Sequence, residues 1–540
     1  NYSENGQTVL TFSFPGTSSD IINFTDDYAD WKTVNSGVFP FNEMQMEAVR
    51  LALSEWSKVA NIRFIEVEEK NNEVGEFRFA FTDAPEIEEF WGFAGYPSTF
   101  PSSGDVWVNS SFQLDESWAR SKSYNFSALI HETGHSLGLD HPHEGIDQLN
   151  SSEDFTNYTL MSYNEPDNAY YTGLSGKDWD YVVSYSPMVL DIAAVQYLYG
   201  PAVYNDDDTT YEVDFSLPFV QSIWDSGGTD TIDLSGSNYE CIINLEPGSY
   251  STIPCYNWSM VDNLGIAFET FIENANGGEK NDMISGNSQD NYLNGNGGND
   301  TLRGGDGNDV FDWDSSKRMG ADEFHGQVGD DVFVVDNPLD NVVELLDEGI
   351  DLVWVDIEKY SLPDHVERLG SLLETGVSLT GNSSDNEISG NVGADVLNGL
   401  DGNDTIFGGA GNDIITGGAG NDNLFGDSGI DTFVFTAGFG HDVISDFSPS
   451  EDLILYNGLA IDYSINPKFL SEEGVEMVSF VDGSSITFKG LDFPIMEVIE
   501  EEIVEVIPVF QPEGIQLDFG SGNIAIYEGF DKKIKIFNLN

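Results

Sequence analysis

Cysteine is nearly absent: the 540 residues hold two, Cys241 and Cys255, too few for a disulfide framework. In an oxidising compartment they can pair and close a loop of about 15 residues, worth about 3 kcal/mol; two free buried thiols are the alternative. No histidine lies near either in sequence, which argues against a catalytic thiol. Basic residues are also scarce, 20 Lys and Arg against 95 Asp and Glu, for a formal charge of −75. Such a surface argues against nucleic acid and anionic membranes as partners. It also repels itself unless cations bind. No apolar run approaches the roughly 18 residues of a membrane-spanning helix. What is present excludes a disordered acidic chain: 40% of residues are apolar and 13% aromatic, and the length suits two or more domains with cores.

Histidine is rare too, but four of the seven fall in His131-Glu132-Thr133-Gly134-His135-Ser136-Leu137-Gly138-Leu139-Asp140-His141-Pro142-His143. Residues four apart on a helix share a face, so His131 and His135 reach one metal ion. Glu132 leaves the ligand line yet stays near enough to act as general base on a metal-bound water. Gly138 tolerates the positive φ at which a helix ends, and the chain then turns back to offer His141 as third ligand. Three protein ligands leave a coordination position open, as a catalytic zinc requires. The spacing H-E-x-x-H-x-x-G-x-x-H is the metzincin signature. His143 fits no ligand spacing and reads as a loop residue.

Ahead of this motif, residues 8–14 alternate as a strand. Asn42 and Gln45 form a capping box for a helix carrying Met46, Val49, Leu53, Trp56 and Val59. Strands follow at 63–66 and 76–81, and a further one comprises Asp105, Val106, Trp107, Val108 and Asn109. An open edge there pairs with an extended peptide; an ordinary sheet strand is the alternative. Beyond the motif, Met161-Ser162-Tyr163 reads as a Met-turn, with Met161 an apolar floor and Tyr163 in reach of the metal or of a developing oxyanion. Ser186-Pro187 predicts the start of a helix bearing Val189, Ile192, Ala193 and Tyr197 and ending near Gly200.

Near residue 205 glycine becomes frequent and the apolar period shortens. A nine-residue repeat runs from 277 (GGEKNDMIS, GNSQDNYLN, GNGGNDTLR, GGDGNDVFD), with a degenerate copy at 326–334. A second block starts at 381 and continues to GDSGIDTFV at 426–434. This is the G-G-x-G-x-D-x-U-x unit of calcium-binding parallel β-rolls. It assigns calcium to Asp282, Asp300, Asp309, Asp331, Asp395, Asp404, Asp413, Asp422 and Asp431. The eighth-position residues Leu302, Ile406, Ile415 and Leu424 go to the interior. Asn291 and Asn386 take the sixth position at block edges, as weaker ligands suited to a cap. A flexible glycine linker would not keep Asp and Leu or Ile in register. The expected organisation is 1–205 as protease domain, 206–276 as β connector, 277–334 and 381–435 as roll blocks, 335–380 as a β spacer, 436–500 as a closing β layer and 501–540 as an acidic run with terminal hairpins.

Together the zinc helix, Met161-Ser162-Tyr163, PMVLDIAAVQYLYG (187–200), FIENANGG (271–278) and the nonapeptides resemble the serralysins, over roughly residues 8–500. The resemblance implies an α+β metzincin catalytic domain followed by an all-β C-terminal region with parallel β-roll (RTX) blocks. It implies one catalytic Zn²⁺, several structural Ca²⁺, and a secreted, extracellular bacterial endopeptidase acting as a monomer on protein and peptide substrates. A proteinaceous inhibitor and a secretion apparatus are its implied protein partners. It makes His131, His135 and His141 zinc ligands, Glu132 the base, and Tyr163 a switchable fifth ligand. The chain opens at Asn1 with no visible signal peptide and is read as a processed secreted product. Two features depart from the family: the repeats are split into two blocks, and the ending Lys532-Lys533-Ile534-Lys535 is more basic than its usual export signal. The competing readings are a calcium-dependent adhesive or surface-layer protein with a vestigial metal site, and a lipase, for which no G-x-S-x-G elbow is found.

Overall fold

The computed structural model describes residues 2–4, 6–16, 37–70, 74–84, 88–99, 102–115, 118, 123–144, 148–166, 170–172, 179–255, 260–313, 320–461, 476–480, 482–489, 517–518, 523–527 and 534–538. The chain forms two compact units, residues 1–291 with 295–298, and residues 292–294 with 299–540.

The first unit begins with a mixed sheet. Its strands are β1 (Tyr2–Glu4), β2 (Gln7–Ser13), β3 (Val38–Phe39), β4 (Ile62–Glu66), β5 (Phe77–Thr82), β6 (Gly92–Ala94) and β7 (Val106–Asn109), along the path β1-β2-β5-β7-β6. Three helices accompany it: α1 (Glu43–Val59), α2 (Tyr124–Leu137) and α3 (Val189–Tyr199). The predicted capping box forms, Asn42 Oδ1 accepting from Gln45 N–H at 3.0 Å while Asn42 N–H donates to Gln45 Oε1 at 2.8 Å. Buried Phe79, Phe81, Val49, Leu53 and Trp56 join Leu129 and Ile130 of α2 in one core. The indole of Trp56 also donates to the Ile130 carbonyl at 3.2 Å, tying α1 to the helix that carries the histidines.

Two expectations change here. β7 is not an open strand: β5 flanks it in parallel and β6 antiparallel, with Trp107 opposite Ala80 and Phe93. Asp105, Val106, Trp107, Val108 and Asn109 are all buried, so the open edge expected there is not formed. Among the described residues the sheet path ends on that side at β6. Helix α3 starts at Val189 rather than at Ser186-Pro187, because Met188 stays extended and its N–H is taken by the Asp191 carboxylate at 2.9 Å. Tyr197, placed by periodicity on the apolar face, is exposed; Asp191 is buried instead.

Parallel pairing begins before the first nonapeptide. Thr210–Glu212, Thr231–Asp233 and Asn274–Asn276 stack in parallel, and Ile242–Asn244 pairs in parallel with Met283–Ser285. The residues expected as a connector thus already supply strands of the roll.

The second unit is a parallel β-solenoid. The residues expected as a spacer are turns of it: Leu352–Val355 pairs in parallel with Val332–Val335 and with Arg368–Ser371, and Lys359–Ser361 with Ser378–Thr380. The segment lacks nonapeptide glycines but keeps the alternation that fills an interior, with Val353, Leu369 and Leu379 buried. Leu397, Ile415 and Phe433 lie opposite one another on successive turns, as do Ile388, Ile406 and Leu424, all fully buried. Antiparallel strands end the stack, Leu459–Ala460 on Leu453–Tyr456 and Glu476–Ser479 on Ser485–Phe488. Such endings cover a parallel edge that would otherwise template association. Strands Leu517–Asp518, Asn523–Tyr527 and Ile534–Asn538 form a small antiparallel sheet. The acidic run 497–506 lies outside the described residues.

Ile415→Ala opens a void between Leu397 and Phe433, for an expected loss of about 2–5 kcal/mol. Urea unfolding in saturating calcium measures it; a loss under about 1 kcal/mol contradicts the stacked interior.

Candidate metal centre

Helix α2 ends where the motif requires. Gly138 adopts φ +109° and ψ 10°, and its N–H donates to His135 O at 2.9 Å. A Cβ there meets nothing closer than 3.6 Å, so backbone conformation rather than space demands glycine. Gly134 has the opposite reason. A Cβ on it would stand 2.8 Å from Met161 Sδ and 3.2 Å from Trp56 Cζ2. Met161 therefore packs directly beneath the helix, buried, at the place expected of a floor.

The reversal brings His141 back to the helix. Its Nε2 lies 3.3 Å from His131 Nε2 and 3.0 Å from His135 Nε2, and Tyr163 Oη lies 2.7 Å from the same atom. Backbone carbonyls fix the other ring nitrogens: His131 Nδ1–H donates to Leu160 O and His135 Nδ1–H to Leu139 O, each at 2.8 Å. Burial, the main cause, holds His131 down at about 3 and His135 at about 4, so both rings are neutral. Neutral rings protonated at Nδ1 turn their Nε2 lone pairs towards His141. Lone pairs aimed at one another over this distance repel unless a cation stands between them. A tetrahedral zinc with Zn–N of about 2.0–2.1 Å separates its ligands by about 3.3 Å, which fits this donor set. Glu132 is buried beside the cluster, and burial pushes its carboxyl up to about 8; a divalent ion nearby pulls it back down. His143 stacks on His141 with ring planes 8° apart, bracing that ligand from outside.

One residue escaped the sequence reading. Asp191 accepts from Thr159 Oγ1 at 2.6 Å, Leu160 N–H at 2.7 Å and Met188 N–H at 2.9 Å. It thereby shapes the turn that presents the Leu160 carbonyl to His131 and Met161 to α2. Its trace in the sequence was a lone acid inside the apolar stretch PMVLDIAAV.

The nonapeptide acids sort into groups. In the second block each backbone N–H donates to Oδ1 of the acid 18 residues on, in the next turn: Asp395 to Asp413 at 2.8 Å, Asp404 to Asp422 at 2.9 Å, Asp413 to Asp431 at 2.9 Å. The second oxygens of Asp404, Asp413 and Asp422 are buried with no hydrogen-bond partner. Each points at the first-position glycine of its own repeat; a Cβ on Gly417 would stand 2.1 Å from Asp422 Oδ2. Buried, uncompensated carboxylate oxygens in a row suit hard cations. Asp442 behaves likewise, accepting from Asp422 N–H while Oδ2 has no partner; the G-x-G-x-D signal at 438–442 was overlooked. Asp300 and Asp309 are buried in the same kind of ladder, Asp309 N–H donating to Asp331 Oδ1. Asp282 and Asp395 differ: both of their oxygens accept backbone N–H groups, from Gly278 and Cys241, and from Asn391 and Val377. Asn386 is not a weak ligand. Its amide donates to the Val366 carbonyl while Asn382 donates to Pro363 and Val366, so N–H groups stand where a cation otherwise would. Asn291 and Asn287 do the same towards Glu273, Leu245 and Ile272.

Cys241 and Cys255 are buried free thiols, so the possible bridge is not formed. Burial raises them to about 12 and about 11, leaving both protonated and unreactive.

Two imidazoles on a glycine-ended helix and a third from the returning chain, over a methionine floor, make up a metal centre of the metzincin kind. Comparisons with known proteins agree. The matrixin family model matches residues 27–151, the model "Peptidase M10 serralysin C terminal" residues 190–347, and the RTX calcium-binding nonapeptide repeat residues 378–406 and 398–433. Similar curated proteins include serralysin B of Dickeya chrysanthemi (34% identity; 51% of this chain, 58% of that protein), serralysin of Proteus mirabilis (31%; 52% and 59%) and metallopeptidase AprA of Pseudomonas marginalis (33%; 53% and 61%). The matches thus span about three-fifths of these relatives' length. Over about half of its length this chain is similar to the serralysins. No helix among the described residues is long and apolar enough to cross a membrane.

Two predictions follow from this geometry. Asp191→Ala should weaken zinc binding by about 10-fold, the lower end of outer-shell effects, with the fold kept; competition with a chromogenic chelator reads it. The second concerns pH. Burial is the main cause raising Asp404 and Asp413 to about 7 and Asp422 to about 6. A carboxyl raised on folding stabilises the fold below its unfolded pKa, and that stability is lost as pH rises through the folded value. With calcium chelated, the thermal midpoint should therefore fall between about pH 5 and pH 8. Saturating calcium should remove the fall, since the ion keeps these acids ionised; a flat profile in chelator contradicts the account.

Proposed function

We propose that this chain is a secreted zinc-dependent endopeptidase that hydrolyses peptide bonds of extracellular proteins, carried on a calcium-stabilised β-roll. The observation that supports it most is the convergence of the His131, His135 and His141 Nε2 atoms with Tyr163 Oη on one point.

His131, His135 and His141 hold the zinc, and the Leu160 and Leu139 carbonyls keep the first two in the metal-binding tautomer. The ion, when bound, supplies a Lewis acid that polarises the scissile carbonyl and lowers the pKa of water. Glu132 accepts the proton of the attacking water and delivers it to the leaving amine. Its burial suits that shuttle, because the carboxylate is held beside the cluster and away from bulk water. The Tyr163 hydroxyl, which lies half exposed at the mouth of the site, donates to the oxygen on which negative charge develops. An extended substrate pairs with β6 (Gly92–Ala94), the last strand of the sheet path, in place of the buried β7.

Calcium is proposed at the turns of Asp300, Asp309, Asp404, Asp413, Asp422, Asp431 and Asp442. The setting is extracellular and bacterial and the working form a monomer. A proteinaceous inhibitor or a secretion apparatus completes the proposed set of partners. An adhesive protein with a vestigial metal site is disfavoured, since all three histidines and Glu132 are in place.

Glu132→Ala should abolish casein hydrolysis, by at least about 10³-fold, with one zinc still bound. Turnover surviving in the zinc-loaded variant removes Glu132 as the base. Loss of wild-type activity on zinc chelation, restored by zinc, tests the rest.

A further inference from the structure

Asp331, Glu344 and Asp351 come together in the solenoid of the second unit, and only Asp331 belongs to a nonapeptide. One oxygen of each lies within 4.8 Å of the others. Their exposures are 1%, 5% and 1%. Each carboxylate spends one oxygen on backbone: Asp331 Oδ1 accepts from Asp309 N–H at 2.7 Å, Glu344 Oε1 from Gly326 N–H at 2.7 Å, and Asp351 Oδ1 from Asp331 N–H at 2.9 Å. The remaining oxygens, Asp331 Oδ2, Glu344 Oε2 and Asp351 Oδ2, are buried with no hydrogen-bond partner. Three clustered, buried carboxylates, each with one orphaned oxygen, are untenable without positive charge. The charged groups around them, Asp309, Asp330 and Glu348 among them, are acids as well.

The register explains the third acid. Pairing of His325 with Val343 sets Gly326 opposite Glu344. At the equivalent place in the second block, Asn398 pairs with Thr416 and so Gly399 faces Gly417. Glu344 thus stands where the repeat has glycine and fills that space with a carboxylate. The following loop to Asp351 is two residues longer than the step from Gly326 to Asp331. Asp351 nevertheless returns to register, since Leu352 pairs with Val332.

We propose that Asp331, Glu344 and Asp351 form a calcium site of their own, in the segment between the two repeat blocks. All-oxygen donors with three carboxylates suit calcium, which tolerates irregular coordination by six to eight oxygens; magnesium demands a tighter octahedron. With three acids against the two of an ordinary turn, this site keeps its ion at calcium levels that empty the nonapeptides. The proposal does not rest on proteolysis.

Crystals of the full chain grown in calcium, measured at long wavelength, test it directly. An anomalous peak bridging the three carboxylates is expected. Peaks at the Asp404 and Asp413 turns with none here overturn this site alone; peaks nowhere overturn it together with the calcium reading of the repeats. Equilibrium dialysis of full-length Glu344→Gln and Asp351→Asn, with circular dichroism as a check on folding, should give one bound calcium fewer than wild type at low micromolar calcium. Unchanged stoichiometry in both variants overturns the proposal.

Discussion

A carboxylate or an imidazole lone pair buried away from water needs a positive partner, and this chain has few side chains to supply one. Twenty Lys and Arg serve 95 Asp and Glu. Arg50, for one, is taken up by Glu43, Glu47 and Glu66 on the surface. The buried acids of the solenoid, Asp422 for one, instead accept a backbone N–H of the preceding turn on one oxygen and leave the other without a partner. A stack built this way holds its strands in register through hydrogen bonds but carries an electrostatic load that bound ions relieve. Folding and ion concentration are thereby linked: such a unit gains stability as calcium rises and loses it as calcium is withdrawn.

The imidazole cluster obeys the same constraint with more support around it. Trp56 fixes α2 from one side, Met161 lies against Gly134, and Asp191 shapes the turn that supplies the Leu160 carbonyl. None of these touches substrate, yet together they set the tautomer and aim of His131. The site is rigid because its partners are backbone carbonyls and a buried carboxylate rather than mobile side chains. The asparagines make the contrast plain. Where Asn386 replaces an acid, its amide N–H and that of Asn382 satisfy the carbonyls of the neighbouring turn, and no cation is called for.

Reading the chain in one dimension succeeded where chemistry is local. The ligand spacing, the Gly138 ending, the Asn42 capping box and the eighth-position core of the repeats all depend on neighbours within a few residues. It failed where a partner lay far away. The strand 106–109 looked available because nothing in its own pattern announces that Gly92–Ala94 will cover it. Residues 335–380 looked like a spacer because their glycines are gone, although their alternating apolar residues continue the same stack. Nothing in the pattern around Asp191 marks the three donors that the fold places around it.

Spacing along the chain was enough to declare the zinc-binding motif, the nine-residue period and the resemblance to serralysins, since each is a matter of residue type at fixed short intervals. Only the tertiary structure could decide which acids keep an unpaired oxygen, which asparagines stand in for an ion, that the two cysteines stay apart, and that Glu344 joins Asp331 and Asp351. The reason is physical: whether a buried polar atom is satisfied depends on strands 18 to 22 residues apart in sequence, and no local pattern records what those strands bring.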